Sequence, residues 1–358
     1  MLSVILLAGG MSMTACDIPS RDGMSSHQSD RARHSPHAQG LTNASVDTGD
    51  PQIISHVQPH LPAQTTSQGK TVIVTKAERI LGLDRSGALA ASLWAMGMGN
   101  KLVGRDISTT FPSSAKLPLV TPGGHSINAE AVLNLAPDII FTDGSIGPQS
   151  VFRQLEKSGI TVVYTDRDRH LRNADNLMRQ IGDALGDHHA GEHAAHHMRD
   201  DITSSSAAAQ ARSDHRRMIV LYVRGTNISM IAGRKSGASD LIKAVGGIDA
   251  SEGLGLNKAF TNLTSEALVK AAPDTVIVMR DGLSSVGGLS GLHQLPGFDQ
   301  TPAGAHNSVL TVPDSHLLSF GPDTGAVITA IAHGLYSGSG SPPPAASTRT
   351  SEPTVAGR

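Results

Sequence analysis

The chain has 358 residues and a formal net charge of -2, from 29 basic and 31 acidic side chains. This near balance argues against nucleic acid, or an anionic membrane surface, as a partner bound by charge. Hydrophobic residues make up 39% of the chain, enough for the cores of about two domains, and the single cysteine excludes an intrachain disulfide.

The N-terminus carries an apolar stretch, LSVILLAGG, that is too short to span a bilayer. MTAC follows it, so that small residues precede Cys16. An apolar leader with this ending resembles a bacterial lipoprotein signal. We predict a signal peptide over residues 1–15, cleavage before Cys16 and a lipid on its thiol, which would hold the protein on the outer face of the cytoplasmic membrane. The alternative is a chance cysteine behind a short apolar N-terminus.

Two further segments have a composition typical of disorder. Residues 17–70 are rich in Ser, Thr, His, Gln, Asp and Pro and show no apolar periodicity, so we predict a disordered tether over residues 16–70. The C-terminal stretch SGSGSPPPAASTRTSEPTVAGR is also of low complexity and predicts a disordered tail over residues 337–358.

Between these segments, β-type runs alternate with helical patterns, which predicts an α/β fold with mostly parallel strands. In the first lobe, residues 71–167, strands are predicted at TVIVT, RILGLD, LVGRD, DIIFTD and TVVYTD, and helices at GALAASLWAMGMG, AEAVLNLA and SVFRQLEKSG. In the second lobe, residues 215–336, the alternation resumes in MIVLYVRG, GASDLIKAVGG, SEALVKAA, DTVIVMRDG and SVLTVPD, and it ends with a helix near DTGAVITAIAHGLYSG.

The intervening residues 168–214 contain no strand pattern and no proline. A stripe at helical spacing runs through Leu171, Leu177, Met178, Ile181 and Leu185. We predict a connecting helix between two Rossmann-like lobes, which together form a clamshell. The crevice between the lobes is the natural place for a ligand, beyond the carboxyl ends of the strands.

One unit occurs in both lobes. NAEAVLNLAPD, which starts at Asn128, matches TSEALVKAAPD, which starts at Thr264. Each unit predicts a helix with an N-cap followed by a glutamate in its first turn, Glu130 or Glu266. These carboxylates either interact favourably with the dipoles of their own helices or face cations on a two-fold symmetric partner.

Three further patterns lie where the crevice is expected. Tyr222 and Arg224 are two apart on one strand, so their side chains share a face, and a cation beside a phenol favours the phenolate, a ligand suited to ferric iron. His125 follows two glycines on a turn, and neutral imidazole is a good iron ligand. Met279 ends the strand TVIVM, where it could pack on a macrocycle. The alternatives are a core tyrosine with a solvated arginine, a solvated loop histidine and a core methionine.

A histidine-rich segment lies on the connecting helix, at His188, His189, His193, His196 and His197. It predicts a solvated helix face or, less readily, weak binding of zinc or manganese. The chain contains no GxxxxGK[ST], GxGxxG or GxSxG motif and no evident acid/base pair, so the sequence does not support an enzyme or a catalytic cofactor.

The stretch ERILGLDRSGALAASLWAMGMGNKLVGRD, continued by LPLVTPGGHSINAEAVLNLAPDIIFTD, resembles haem-binding substrate-binding proteins of bacterial ABC importers. These belong to the helical-backbone, class III periplasmic-binding-protein class, which also contains cobalamin and siderophore binders. The likeness covers residues 76–336. Many Gram-negative members have a tyrosine before the first-lobe helix, where this chain has PGGHS and is similar to actinobacterial members.

The resemblance implies a monomer that captures haem b (hemin) as its transported ligand and delivers it to an ABC permease and its ATPase. It implies iron ligation by His125 and Tyr222 from opposite lobes, support of the phenolate by Arg224 and a nearby Met279. The helix-start glutamates would dock the permease. Two alternatives remain open: a cobalamin or ferric-siderophore binder of the same fold, and a zinc or manganese binder that uses the histidine-rich segment.

Overall fold

The computed structural model describes residues 40–336. The predicted signal peptide, Cys16, the first part of the predicted tether and the predicted tail lie outside the described residues. Twelve strands occur within residues 40–336: β1 (Leu41–Asn43), β2 (Ala63–Ser67), β3 (Lys70–Val74), β4 (Ile80–Leu83), β5 (Ile139–Thr142), β6 (Thr161–Tyr164), β7 (Arg217–Arg224), β8 (Ile228–Ala232), β9 (Ile248–Asp249), β10 (Phe260–Asn262), β11 (Thr275–Met279) and β12 (Val309–Val312).

The same part of the chain forms eleven α-helices. They are α1 (Ala88–Leu93), α2 (Ala129–Asn134), α3 (Gln149–Lys157), α4 (Asn176–Ala184), α5 (His188–Gln210), α6 (Ala238–Ala244), α7 (Ser265–Ala271), α8 (Arg280–Ser285), α9 (Leu289–His293), α10 (Pro302–His306) and α11 (Thr324–Tyr336).

The first lobe is built on a parallel sheet with strand order β4-β5-β6. Every residue of β4 and β5 is buried, as expected when helices cover both faces of a parallel sheet. The register aligns Leu83 with Thr142 and Thr142 with Tyr164, so the three carboxyl ends meet at one edge. The strand predicted at LVGRD is wrong, because that segment makes only isolated bridges, from Leu102 to Ile80 and from Arg105 to Leu119.

The second lobe is built on a larger sheet in the order β1-β12-β11-β7-β8-β10, with β9 beside the start of β7. β12, β11 and β7 are parallel, and Met279 of β11 is aligned with Val312 of β12, so these strands also end at one edge. The hairpin of β7 and β8, which the sequence analysis missed, is antiparallel and places Tyr222 opposite Met230.

The segment from residue 40 to residue 70 differs from the predicted disordered tether. β1 is paired with β12 in the second lobe. The chain then reaches the first lobe, where Ile54 N donates to Ala95 O at 2.7 Å, and the end of α4, where His60 N donates to Leu185 O at 3.0 Å. β2 and β3 form an antiparallel pair, so ordered structure of the first lobe begins before residue 71. A polar composition concealed these backbone hydrogen bonds, which depend on partners far along the chain.

The connection between the lobes consists of two helices, α4 and α5, rather than one. Gly186, with φ of 74°, and Asp187, whose carboxylate accepts from Ala190 N, separate them. α5 buries small and apolar side chains such as Ala194, Met198 and Ile202. These belong to one apolar cluster that includes residues of both sheets and of α11. Within residues 40–336, none of the helices combines the length and hydrophobicity that a bilayer span requires.

The close packing of α4 on α5 predicts a measurable stability effect. A Cβ at Gly182 would lie 2.6 Å from Gly191 Cα, so Gly182→Ala must push the two helices apart. We expect a loss of about 1–3 kcal/mol in the free energy of unfolding, measured by urea denaturation. Gly253→Ala is the matched control, because nothing lies within 4 Å of a Cβ there. Equal unfolding midpoints for the two variants would contradict the packing argument.

Candidate functional site

Three of the predicted residues, Tyr222, Arg224 and Met279, come together at the carboxyl edge of the second-lobe sheet. The Arg224 guanidinium lies 5.4 Å from the centre of the Tyr222 ring. Its Nη2 is 3.9 Å from Met279 Sδ. β7 carries the first two residues on one face, and the neighbouring parallel strand β11 ends at Met279. The strand register therefore assembles a phenol, a cation and a thioether at one place.

Asp314 is a fourth member of this cluster, and the sequence analysis missed it. Its Oδ1 accepts from Arg224 Nη2, and its Oδ2 accepts from Asp281 N at 2.8 Å. Burial alone would lower the pKa of Arg224, but the hydrogen bond and charge of Asp314 raise it above its ordinary value. Arg224 Nη1 is buried and has no hydrogen-bond partner. The guanidinium thus keeps one donor unused beside the phenol. Asp314 is the second residue after β12, so an inspection of strand ends could have identified it from the sequence.

An apolar surface adjoins Tyr222. Phe260 lies 5.6 Å from Tyr222 between ring centres. Met230 and Ile228 of β8 stand directly opposite Tyr222 and Arg224, so their side chains are on the same face of the sheet. Ile228 is 45% exposed, so part of this apolar surface is accessible to a ligand. This surface could support a flat apolar ligand beside the phenol, and the sequence analysis did not predict it because β8 was missed.

His125 belongs to the first lobe and is half-buried. Its Nδ1 is buried and has no hydrogen-bond partner. Burial lowers the pKa of His125, and the positive charge of Arg85 lowers it further, so the neutral ring that can donate a nitrogen lone pair is favoured. Of the two preceding glycines, Gly124 has φ of 86°, a conformation that favours glycine.

Backbone hydrogen bonds hold the His125 turn against the loop between β5 and α3. Gly147 N donates to His125 O at 3.1 Å, and Ile127 N donates to Gly147 O at 2.7 Å. The same loop positions Arg85, whose backbone N donates to Ser145 Oγ at 2.8 Å and whose Nη2 donates to Ser145 O at 3.2 Å. One loop therefore holds both the histidine and the cation that favours its neutral form.

A buried ionic network holds the loop between β5 and α3. Arg169 Nη2 bridges Asp84 at 2.5 Å and Asp143 at 2.7 Å. Asp143 in turn accepts from Ser145 N at 2.8 Å. Asp106 joins the network by accepting from Asp84 N at 3.0 Å. Burial raises the pKa of Asp106 to about 7, and the nearby charge of Asp84 contributes to the rise. Two buried carboxylates, Asp84 and Asp143, thus share one guanidinium, and the Asp106 carboxyl group joins them through the backbone of Asp84.

A cavity of about 860 Å³ lies between residues that follow both sheets. Its walls include Ser86 after β4, Asp314 after β12, Asp201 of α5 and His333 of α11. The four predicted residues at positions 125, 222, 224 and 279 do not line it. Asp314 connects the two places, because it lines the cavity and binds Arg224.

The repeated helices α2 and α7 begin in the same way. The Asn128 side chain accepts from Ala131 N at 3.0 Å, and the Thr264 side chain accepts from Ala267 N at 3.2 Å, as N-caps do. The glutamates of the two first turns, at positions 130 and 266, are exposed. Within residues 40–336, neither has an ion-pair or hydrogen-bond partner for its carboxylate.

The two helices also end in the same way. Arg79 N donates to the Asp138 carboxylate at 3.0 Å and Asp138 N donates to Arg79 O at 2.8 Å. Arg217 and Asp274 repeat both hydrogen bonds, each at 2.8 Å. Both arginine side chains donate to carbonyls at the end of their helix. We call these two pairs the Arg–Asp clamps, and each fixes a helix to the start of a strand.

The histidine-rich segment lies on α5, and all five of its histidines are exposed. Within residues 40–336, no group of three or more His, Cys, Asp or Glu side chains is arranged to hold a metal ion. This arrangement fits a solvated helix face.

Comparison with known proteins places these features in a family context. The sequence profile of the periplasmic binding protein family matches residues 86–316. The crystal structure of the heme binding protein HmuT is 34% identical, with a TM-score of 0.79, and the match covers 84% of this chain and 98% of that one. Three further HmuT crystal structures each carry one alanine substitution, at an arginine, a histidine or a tyrosine.

Two other proteins extend the comparison. The periplasmic heme-binding protein RhuT from Roseiflexus sp. RS-1, solved in apo form, is 31% identical, with a TM-score of 0.67, over 73% of this chain and 98% of that one. The uncharacterized ABC transporter substrate-binding lipoprotein YvrC of Bacillus subtilis strain 168 is 23% identical over 68% of this chain and 76% of its own. These matches confirm the predicted fold class, two α/β lobes of the class III periplasmic-binding-protein type.

The buried carboxyl network predicts a pH-dependent stability. A carboxyl group whose pKa is higher in the folded chain stabilises the fold below its unfolded value of 3.8, and that contribution is lost as the pH rises to about 7. We expect the free energy of unfolding of the wild type to fall between about pH 4 and pH 7 relative to that of Asp106→Asn. Urea denaturation at several pH values measures this. Asp166→Asn, at an exposed position, is the control. Parallel pH profiles for the wild type and Asp106→Asn would refute the raised pKa.

Proposed function

We propose a function from one premise, which is that this chain belongs to the periplasmic binding protein family. We propose that the protein captures haem outside the cytoplasm, between its two lobes, and delivers it to an ABC permease and its ATPase for haem and iron uptake. Its role is binding and transfer rather than catalysis. The observation that carries the proposal is the cluster of Tyr222, Arg224 and Met279 on one lobe, with the unpartnered imidazole of His125 on the other.

In this proposal Tyr222 gives the iron a phenolate oxygen and His125 gives it a nitrogen from the other face. Arg224 stabilises the phenolate, because its charge lies over the ring and Asp314 holds it there. Phe260 and Met230 form an apolar wall beside the phenol, which suits a porphyrin plane. Two unpartnered buried atoms, one on the histidine and one on the arginine, find partners when such a ligand binds.

The relatives support the same choice of residues. HmuT is named a heme binding protein, and the residues substituted in its further structures are a histidine, a tyrosine and an arginine. The tyrosine and arginine are two positions apart there, as Tyr222 and Arg224 are here. His125 and Tyr222 are also separated by nearly the same number of residues as their counterparts.

We further propose that the chain is a lipid-anchored monomer on the outer face of the cytoplasmic membrane, with the anchor on Cys16. The lipoprotein-like leader of the sequence motivates this location, and the name of the Bacillus subtilis relative supports it. A cobalamin or ferric-siderophore ligand is the rival within the same fold. A siderophore already saturates its iron, so a histidine and a tyrosine ligand would have no role there.

The haem proposal predicts a specific spectrum and specific losses. Hemin added to the purified apoprotein should give a Soret band, and Tyr222→Phe and His125→Ala should each shift it. Loss of one iron ligand should raise the rate of haem transfer to apomyoglobin by roughly tenfold or more. Tyr222→Phe keeps the aromatic ring against Phe260, so a changed spectrum or transfer rate reports the loss of the phenol oxygen.

The controls are Tyr164→Phe and His306→Ala, which remove the same groups elsewhere. Absence of a Soret band, with binding of cobalamin or a ferric siderophore instead, would refute the haem function. A normal spectrum in both ligand variants would refute the ligand assignment while leaving haem binding intact.

The docking role of the glutamates predicts a separation of function. Glu130→Ala with Glu266→Ala should weaken binding to the permease and lower haem uptake, while haem affinity stays that of the wild type, because both carboxylates are exposed and neither has a hydrogen-bond or ion-pair partner in the phenol cluster. Haem uptake by whole cells and a hemin titration measure the two effects. Glu156→Ala, on an exposed position of α3, is the control. Loss of haem affinity in the double variant would indicate a folding role instead.

A further inference from the structure

Two exposed aliphatic side chains occupy equivalent positions in the repeated helices. Leu133 of α2 is 38% exposed and Val269 of α7 is 37% exposed. Each lies three residues after the glutamate of its helix, so that the carboxylate and the aliphatic side chain share one helix face. The same pair, one acid and one exposed aliphatic group, therefore occurs once in each lobe.

This exposure is built into the fold rather than caused by a frayed helix. The preceding residues, Val132 and Leu268, are fully buried and hold each helix on its own lobe. Each helix has a side-chain N-cap and is held at its C-terminal end by an Arg–Asp clamp. Ala136 and Ala272, which follow the helices, even have the same φ of 41°. Two lobes that share little else present the same small surface in the same setting.

The duplication indicates the kind of partner. A small ligand would need one such surface, whereas a partner with two equivalent halves needs two. The unpaired carboxylates attract basic side chains, and an apolar group beside each carboxylate suits a socket beside each basic group. The occupant that fits is a two-fold symmetric protein that offers a cation next to an apolar recess on each half.

We propose that Leu133 and Val269 are the apolar anchors of permease docking, one for each half of the permease. This inference rests on the proposed delivery of haem to an ABC permease, and it adds a contact that the charges alone do not provide. The carboxylates guide the approach of the two proteins, and the aliphatic side chains slow their separation once the surfaces meet.

The test measures the affinity of the haem-loaded protein for its ABC permease–ATPase complex in lipid nanodiscs. Leu133→Gln and Val269→Gln keep helix-forming residues in place. Each should weaken binding about tenfold, and the double variant should weaken it more, because each removes apolar surface from the contact. The loss should persist at high salt, whereas the effect of Glu130→Ala with Glu266→Ala should shrink, since salt screens charges and not apolar contacts.

Matched controls are Ile73→Thr and Ile248→Thr, which replace exposed aliphatic side chains on strands. Both variants should bind the permease as the wild type does. Leu133→Ala with Val269→Ala removes the apolar surface without adding polar groups and should give a similar loss. A wild-type Soret band in every variant verifies the fold.

If the apolar double variants bind normally while the glutamate double variant binds weakly, the anchors are refuted and the docking proposal stands. If neither pair changes the affinity, the docking role of these helices is refuted, and the inference with it. Haem binding is measured separately and is untouched by either result.

Discussion

The apolar core that runs through both lobes is the constraint on which the rest of the structure depends. It joins residues of the first sheet, such as Phe141, to residues of the second, such as Ile277, through α5 and α11. Because protein interiors are close-packed, lobes that share a core resist large relative motion. The segment that begins at β1 in the second lobe and reaches Ala95 in the first lobe crosses between the lobes again. The shared core therefore sets the spacing of the two sheet edges.

Electrostatics then position the groups at those edges. On the first lobe, Arg169 holds Asp84 and Asp143, and Asp143 holds the loop that carries the His125 turn. On the second lobe, Asp314 holds Arg224 over the Tyr222 ring. In both cases a carboxylate orients a group that is proposed to contact the ligand, and the carboxylate itself need not contact it.

The two lobes combine a repeated part with an unrepeated one. The repeated part is the helix unit with its N-cap, glutamate, exposed aliphatic side chain and Arg–Asp clamp. The unrepeated part is the ligand side, where the glycine turn with His125 has no counterpart and β7 carries Tyr222 and Arg224. The proposed two-fold partner would account for the repetition, and the proposed haem iron, with a different ligand from each lobe, would account for the difference.

The sequence by itself determined the α/β alternation, the repeated helices and the residue pair Tyr222 and Arg224, because apolar periodicity, N-caps and strand spacing are local properties. It did not reveal β1 or the hydrogen bonds of Ile54 and His60, since their partners lie far along the chain. It also missed β8, although β8 forms a hairpin with the adjacent strand β7. It also failed at LVGRD, where local β propensity found no continuous partner. Only the tertiary structure brought Asp314, Phe260 and Met230 to the phenol and Arg169 to two buried aspartates. Charges and rings that are separated along the chain meet through strand pairing, which is parallel on the side of Asp314 and antiparallel on the side of Met230 and Phe260, and which no local pattern records.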